Sequence, residues 1–278
     1  MDKNAFQLRS EVLANEDAGQ RYRRMILAAP EIAAAAKPGQ FVNLRVGDGL
    51  DPLLGRPFGV FHAEPDSGRV EILYRPTGRG THMLAEVRPG ERLGLVGPLG
   101  RGFTLEKDVE AHVAVGGGTG LAPVYFLSGR AAAAGFSTWL LFGFRDCSFG
   151  LPEALMRRTG AHFRLSSDAG EAGCLRGTAV DLLDLVLDRE LAGKRVALYT
   201  AGPAIMMKLV AEAAARRGLP CQASLEAHMA CGLSVCRGCV VALKGTAPDG
   251  GVLRRPVCTS GPVMNAAEVD WDRYLQGG

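Results

Sequence analysis

Residues 230–240, A-C-G-L-S-V-C-R-G-C-V, constrain this chain more than any other stretch. Four residues separate Cys231 from Cys236 and two separate Cys236 from Cys239; Cys258 follows after eighteen more, in R-R-P-V-C-T-S-G-P-V. Three thiolates in one tight loop and a fourth from a distant turn is the ligand spacing of a plant-type two-iron, two-sulfur (2Fe-2S) cluster. Such a loop must curl so that its amide N–H groups face the sulfurs, and Gly232 and Gly238 are expected to supply the positive φ this needs. Zinc and disulfides are the competing uses of the same residues. A four-thiolate zinc site usually presents two short C-x-x-C knuckles, and only Cys236 and Cys239 form one. Paired disulfides need an oxidising compartment, of which the sequence gives no sign. The C-x4-C spacing favours the cluster.

Three further cysteines, Cys147, Cys174 and Cys221, follow no spacing pattern and read as small packing residues. At 278 residues with 47% apolar content, the chain is long enough for about two ordinary cores. Its 32 basic and 29 acidic residues are well mixed, for a net charge of +3, so no strong field is available to draw in nucleic acid or an anionic membrane. The start, M-D-K-N-A-F-Q-L-R-S-E, carries charge where a signal peptide needs an apolar run, and no segment reaches the length of a membrane span. A cytoplasmic protein is expected.

Over residues 1–104, short β-rich segments at 21–27, 40–46, 58–62, 70–75 and 92–96 alternate with Gly/Pro punctuation, which predicts an antiparallel β-barrel. In R-P-F-G-V, Pro57 is expected to break ladder pairing and leave Arg56 at the mouth of a strand, free to reach a phosphate or a flavin edge. A surface arginine beside an edge-strand proline is the plain alternative. Next, Y-R-P-T-G-R-G-T-H-M-L runs from Tyr74 and Arg75 through Gly78 and Gly80 to Thr81, which is expected to cap a helix starting at His82. The N–H groups of such a helix start make a pyrophosphate site. A barrel offering both a ring contact and a pyrophosphate contact suits a dinucleotide flavin.

From residue 105 the pattern changes to strand–helix alternation, with strands at 112–115, 138–142, 162–165 and 196–200 and helices at 121–134, 152–158, 180–186 and 203–217. That predicts a doubly wound parallel sheet over residues 105–222. The first strand runs into Gly116, Gly117, Gly118, Thr119 and Gly120, a glycine turn before a helix, suited to a nucleotide phosphate. It departs from the regular dinucleotide fingerprint because Leu121 stands where the last glycine belongs. The strand-end loops 143–146, 166–168 and 201–203 should converge on one crevice, with Asp168 toward the adenine-side ribose hydroxyls and Gly202–Pro203 beside it. An acidic group there disfavours the extra phosphate of NADP. The Met206–Met207 pair reads as core.

Residues 223–278 hold the cysteine loop, a Gly/Pro-rich excursion and a polar tail, too few for much core, so the cluster is expected to help hold them together. His228 precedes Cys231 by three, but four cysteines already complete a ligand set. Nearly end to end, the chain resembles the ferredoxin-reductase-like flavoproteins, and within them the electron-transfer subunits of type B dihydroorotate dehydrogenase. The resemblance rests on R-P-F at 56–58, G-R-G-T at 78–81, G-G-G-T-G-L-A-P at 116–123 and A-G-P at 201–203. Most specific are S-L-E-A-H-M-A-C-G at 224–232 and V-C-T-S-G-P-V at 257–263.

The resemblance implies FAD in the barrel with Arg56, Pro57, Phe58, Gly59, Tyr74 and Arg75 around it, NAD at the sheet, and the 2Fe-2S cluster facing a partner. That partner is an FMN-containing catalytic subunit that oxidises dihydroorotate in pyrimidine biosynthesis, with two copies of each chain. Two positions depart from the family. Gly59 stands where a serine or threonine is usual, and Ala201 where many relatives carry cysteine beside the nicotinamide. The chain shows no acid–base pair for removing a proton from carbon, so that chemistry is expected on the partner. A flavin between nicotinamide and cluster is required because one exchanges electrons in pairs and the other singly. A small subunit of an NAD(P)H:ferredoxin oxidoreductase or cytoplasmic hydrogenase complex is the nearest alternative, and P-A-I-M-M-K at 203–208 looks like that group too. Relatives in the transhydrogenase branch, however, tend to place aspartate where this chain has Cys231. A non-catalytic zinc-ribbon protein with a nucleotide-sensing domain is the alternative from another class.

Overall fold

The computed structural model describes residues 5–19, 21–47, 49, 51–145, 152–171 and 173–277. Alternation of apolar and polar side chains in the first third yields six antiparallel strands: β1 (Phe6–Asp17), β2 (Arg23–Ala28), β3 (Phe41–Arg45), β4 (Arg56–Glu64), β5 (Arg69–Tyr74) and β6 (Arg92–Leu99). They close into a barrel in the order β1-β2-β5-β4-β3-β6. Inward positions such as Met25, Leu27, Val42, Leu44, Val60 and Ile72 are fully buried. Closure leaves no unpaired edge. Two short helices, α1 (Pro30–Ala35) and α2 (Arg79–Glu86), connect the strands.

Two expectations change here. Pro57 sits inside the β3–β4 register, opposite Asn43, instead of interrupting it; it is the second residue of its strand, where a missing N–H costs the ladder little. The first strand, β1, is twelve residues long and was not among the expected segments; its many polar residues mask the alternation.

The strand–helix alternation builds a seven-stranded sheet. It uses β7 (Ala111–Gly117), α3 (Leu121–Ala133), β8 (Ser137–Phe144), α4 (Glu153–Arg157), β9 (His162–Ser167), β10 (Leu175–Arg176), α5 (Ala179–Leu185), β11 (Val196–Ala201), α6 (Ala204–Arg217) and β12 (Cys221–Ser224). The order is β10-β9-β8-β7-β11-β12, parallel throughout, with one antiparallel strand added at the β12 edge. All seven residues of β7 are buried, as a central strand covered on both faces requires. Its side chains divide between the faces: Val113 and Val115 pack in the core shared with α5 and α6, while Ala114 packs with Leu121 and Val124 of α3.

The last strands belong to a loop-rich segment: β13 (Val240–Thr246), β14 (Val252–Pro256), the turn α7 (Val257–Ser260), β15 (Val263–Asn265) and α8 (Trp271–Leu275). β15 is the added edge strand, pairing with β12 through Gln222–Asn265, Ala223–Met264 and Ser224–Val263. The segment therefore does not lack a core. Cys239, Val241, Leu243, Val257 and Trp271 are buried in the same apolar cluster as the sheet and α6. The barrel and sheet are joined by Phe61 stacked on Tyr125, ring centroids 4.0 Å apart, and by Glu71, which ion-pairs with Arg24 at 3.2 Å and Arg158 at 3.1 Å. Among the described residues, no helix is long and apolar enough to cross a membrane.

Candidate functional site

Between β12 and β13 the chain forms neither helix nor strand; backbone N–H groups turned toward sulfur organise it instead. Leu233 and Cys236 donate to Cys231 Sγ at 3.3 and 3.4 Å, Ser234 donates to Cys258 Sγ at 3.2 Å, and Gly238 donates to Cys236 Sγ at 3.4 Å. The loop reaches this shape with positive φ at Gly232 (69°), Ser234 (64°) and Arg237 (55°). Gly238, expected to share that role, is not in the left-handed region, and its neighbour Arg237 takes the turn. Gly232 is also close-packed, since a Cβ there would lie 3.1 Å from Asn43 Nδ2. Asn43 of β3 donates to the Cys231 carbonyl at 3.2 Å and so ties the loop to the barrel.

The four thiols fall into two pairs. Cys231 and Cys236 have sulfurs 3.4 Å apart near the surface, and Cys239 and Cys258, which interact with each other, are both buried. Among the described residues, no three His, Cys, Asp or Glu side chains close on a single ion. Pairs of thiolates, one per iron, are what a dinuclear cluster needs, so the residues fit that group. The Cys236 N–H, helped by that of Leu233, brings the Cys231 thiol down to about 7 against the opposing effect of burial. Burial pushes Cys258 up to about 11, with Cys239 adding to the rise. N–H groups aimed at sulfur favour thiolate, the form that binds iron.

A cavity of about 420 Å³ opens between barrel, sheet and cysteine segment. Pro57, Phe58, Gly59, Tyr74, Arg75 and Thr81 line it from the barrel, and Thr119 from the sheet. The Tyr74 ring faces the cavity and lies 5.9 Å from that of Phe58, while its hydroxyl turns away to donate to Asn15 at 2.8 Å. A Cβ on Gly59 would meet Pro123 Cδ at 3.6 Å and Ala122 Cβ at 3.9 Å, ordinary contacts, so a Cβ there has room.

Beside the cavity, α2 starts at Arg79 with Gly78 as its N-cap. Thr81 is thus inside the first turn and not the cap. Its hydroxyl accepts from the N–H groups of Thr77 (2.9 Å) and Gly78 (3.0 Å), which fixes the entry of the helix. The next N–H groups have no helical acceptor. The Arg56 guanidinium, which donates to the Leu54 carbonyl, packs on Gly80 in this first turn: a Cβ on Gly80 would be 2.4 Å from Arg56 Nε. A cation and a helix N-terminus converging on one spot suit a phosphate.

A second crevice, about 530 Å³, opens at the carboxyl ends of the parallel strands. Gly117, Gly118, Gly143, Asp168 and Pro203 line it, as the convergence of strand-end loops predicts. Gly116, Gly120 and Gly202 stand behind it as backbone. A Cβ on Gly120 would lie 2.3 Å from the Ala201 carbonyl, and one on Gly202 2.5 Å from the Gly117 oxygen, so the turns after β7 and β11 touch main chain to main chain. Ala201 itself is buried at the end of β11. Met207 is core, but Met206 lines the crevice, so the pair is divided. Asp146 and Cys147 lie outside the described residues. Of the other unpatterned cysteines, Cys221 is buried in β12 and Cys174 is partly buried. Arg145, from the expected 143–146 loop, lines the crevice too, while sequence reasoning missed Thr178 there and Glu226 in the cavity. Glu226 was visible in S-L-E-A-H-M, but without a spacing rule to give it a role.

Residues 226–270 match the family described as the iron–sulfur cluster binding domain of dihydroorotate dehydrogenase B. The electron transfer subunit of dihydroorotate dehydrogenase B (NAD(+)) from Desulforamulus reducens is 34% identical over 244 residues, 88% of this chain and 90% of that one. The chain belongs to the family of dihydroorotate dehydrogenase B electron-transfer subunits. A second member, from Geobacillus thermodenitrificans, is 32% identical over 266 residues, 94% of this chain and 97% of that one. Among solved structures, an NADH-dependent reduced ferredoxin–NADP oxidoreductase studied for flavin-based electron bifurcation superposes with a TM-score of 0.82 and 25% identity, covering 97% of this chain and 92% of that one. A ferredoxin reductase of carbazole 1,9a-dioxygenase shares the fold at a TM-score of 0.65 and 22% identity, over 78% of this chain and 67% of that one. Membership in this family brings FAD, NAD and a 2Fe-2S cluster to an oxidoreductase subunit of barrel-plus-parallel-sheet fold.

Proposed function

We propose that this chain carries electrons from a dihydroorotate-oxidising catalytic subunit to NAD⁺ in pyrimidine biosynthesis. The observation that supports this most is the adjacency of three sites. Arg75 lines both the barrel cavity and the nucleotide crevice, and Ser224, Leu225, Glu226, Ala227 and Met229, in the stretch that leads into Cys231, line the barrel cavity from the other side. Crevice, cavity and cysteine loop therefore form one series.

When bound, nicotinamide exchanges electrons as hydride, the flavin in pairs or singly, and the cluster singly. The residues have distinct duties. Cys231 and Cys236 would hold one iron, and Cys239 and Cys258 the other. Arg56 and the first turn of α2 would hold the FAD pyrophosphate, with Gly78, Gly80 and Thr81 shaping that turn. Pro57, Phe58, Gly59, Tyr74 and Arg75 would flank the flavin ring. The main-chain run Gly116–Gly120 and the Gly202–Pro203 loop would receive the NAD pyrophosphate, and Asp168 the ribose hydroxyls. The partner is an FMN-containing subunit, two copies of each chain assemble, and the complex works in the cytoplasm.

Anaerobic mixing of the purified complex with dihydroorotate should bleach the cluster absorption before NADH appears. An unchanged cluster spectrum, with catalytic subunit competent toward artificial acceptors, overturns the assignment. The ferredoxin–NADP oxidoreductase likeness supports one other donor: reduction of the cluster by ferredoxin but not by the dihydroorotate-loaded complex would select it.

A further inference from the structure

A buried ion pair adds little net stability, because removing water from the charges costs about as much as their attraction returns, and an apolar replacement is often as stable. What it supplies is direction, since a guanidinium hydrogen-bonds a carboxylate in few orientations. Glu71 of β5 is such a case. Its side chain is 8% exposed, and it takes Arg24 of β2 on one oxygen at 3.2 Å and Arg158, the C-cap residue of α4, on the other at 3.1 Å. Arg24 comes from the barrel and Arg158 from the sheet, so one carboxylate is shared between the two halves of the molecule. Arg24 also reaches Glu16 at 2.6 Å. His62 faces Glu71 across the β4–β5 ladder, and burial holds its pKa below the ordinary histidine value, so it adds no charge at neutral pH and leaves the arginines to answer the carboxylate.

The place of this pair in the fold gives it a role. β4 carries the cavity-lining residues Pro57, Phe58 and Gly59 near its start, and α3 leaves the glycine turn of the nucleotide crevice. The two elements pack directly on each other: Gly59 lies beside Ala122 and Pro123, Phe61 stacks on Tyr125, and His62 meets Phe126 edge-on with ring centroids 6.0 Å apart. The register shifts between Val60 and His62, so Phe61 is an extra residue in the strand, and the shift aims it into this contact. Apolar contacts of that kind are non-directional and leave the two elements free to slide. Glu71, opposite His62, lies about 10 Å along the strand from Gly59, and there it adds a contact of fixed geometry. The Tyr125 hydroxyl donates to the Leu155 carbonyl at 2.8 Å, so α4, which carries Arg158, is tied to α3. Resting on the flavin and nicotinamide sites above, we propose that Glu71 is a positioning residue for hydride transfer. By gripping Arg158 it fixes the angle of α3 on β4, and with it the approach of the nicotinamide to the flavin ring. A misplacement of about 1 Å between reacting groups is enough to slow a reaction by about a hundredfold.

The test uses the full chain with FAD and cluster in place, mixed anaerobically with NADH. The double variant Glu71→Leu with Arg158→Met replaces both charges of the pair between barrel and sheet by apolar groups, and Arg24 keeps Glu16. Its melting temperature should stay within roughly 5 °C of wild type. FAD occupancy and the Kd of NADH should stay within about twofold, while flavin reduction at saturating NADH slows about tenfold and the long-wavelength charge-transfer band of the flavin–nicotinamide complex weakens. Arg158→Lys keeps the charge without the planar fork and should recover part of both. A wild-type reduction rate and charge-transfer band in the double variant overturns the proposal, as does a rate that falls only in proportion to lost FAD. Should the double variant not fold, Arg158→Met alone reads the same rate and band, because Arg158 is 42% exposed and Arg24 still holds the carboxylate. Failure of the underlying site assignment looks different: the wild-type chain would bind FAD and not be reduced by NADH.

Discussion

The parallel sheet and the cysteine loop are neighbours held together by opposite means. β7 buries every residue it has, whereas the loop exposes Cys236 and leaves Val235 81% exposed. In the sheet, order comes from apolar burial and is complete in the polypeptide alone. In the loop, non-glycine residues at Ser234 and Arg237 occupy left-handed backbone and N–H groups surround sulfur, an arrangement whose return comes when iron is bound. Stability and cofactor content should therefore separate on mutation.

The largest separation is expected for Cys239→Ser. Iron and acid-labile sulfide should fall from about two of each per chain toward zero, and protease should gain access to residues 230–238, while flavin absorption persists. Loss of flavin together with iron would show that the two regions are one cooperative unit. Leu198→Ala, at a fully buried position in β11, should do the converse. A cost of about 2–5 kcal/mol lowers the melting temperature by roughly 5–15 °C, with iron per folded chain unchanged. Asp168→Asn bears on the crevice rim: the preference for NAD over NADP should fall roughly tenfold, on the order of 1 kcal/mol, with melting unaltered. The smallest effect belongs to the cap of α5. Thr178 accepts from the Asp181 N–H at 3.2 Å, and the Thr178 N–H and hydroxyl in turn hold the Asp181 carboxyl below its ordinary value. Thr178→Ala should cost about 1 kcal/mol. Because the folded-state value is lowered, this contribution is present at neutral pH and lost as pH falls through that value, so the mutant and wild-type melting curves should converge in acid.

The regular regions were legible in the sequence because period and punctuation coincide there. Strand 112–115 and helix 121–134 emerged within two residues of β7 and α3, since an apolar run meets glycines and then a second, longer apolar stretch. β1 escaped because a barrel strand facing solvent on one side can carry Arg9, Glu11, Asn15 and Glu16. The helix at α2 began earlier than its threonine suggested, because glycine can cap with its backbone alone. In the loop, cysteine spacing pointed to the ligand type but not to the turn positions: Gly238 was the natural choice for positive φ, yet Arg237 adopts it. Glu226 and Met206 lie at the far ends of long-range contacts, where neither period nor spacing carries information.

The pairing of β12 with β15 has a mechanical consequence. The cysteine segment departs from one strand and comes home on the next, so it is a graft clamped at both ends to the sheet that receives the nucleotide. A tail could swing; this loop cannot move outward without unzipping an edge strand. Electron hopping weakens steeply with separation, and here the gap between relay stations is set by three rungs of backbone ladder instead of by a flexible tether.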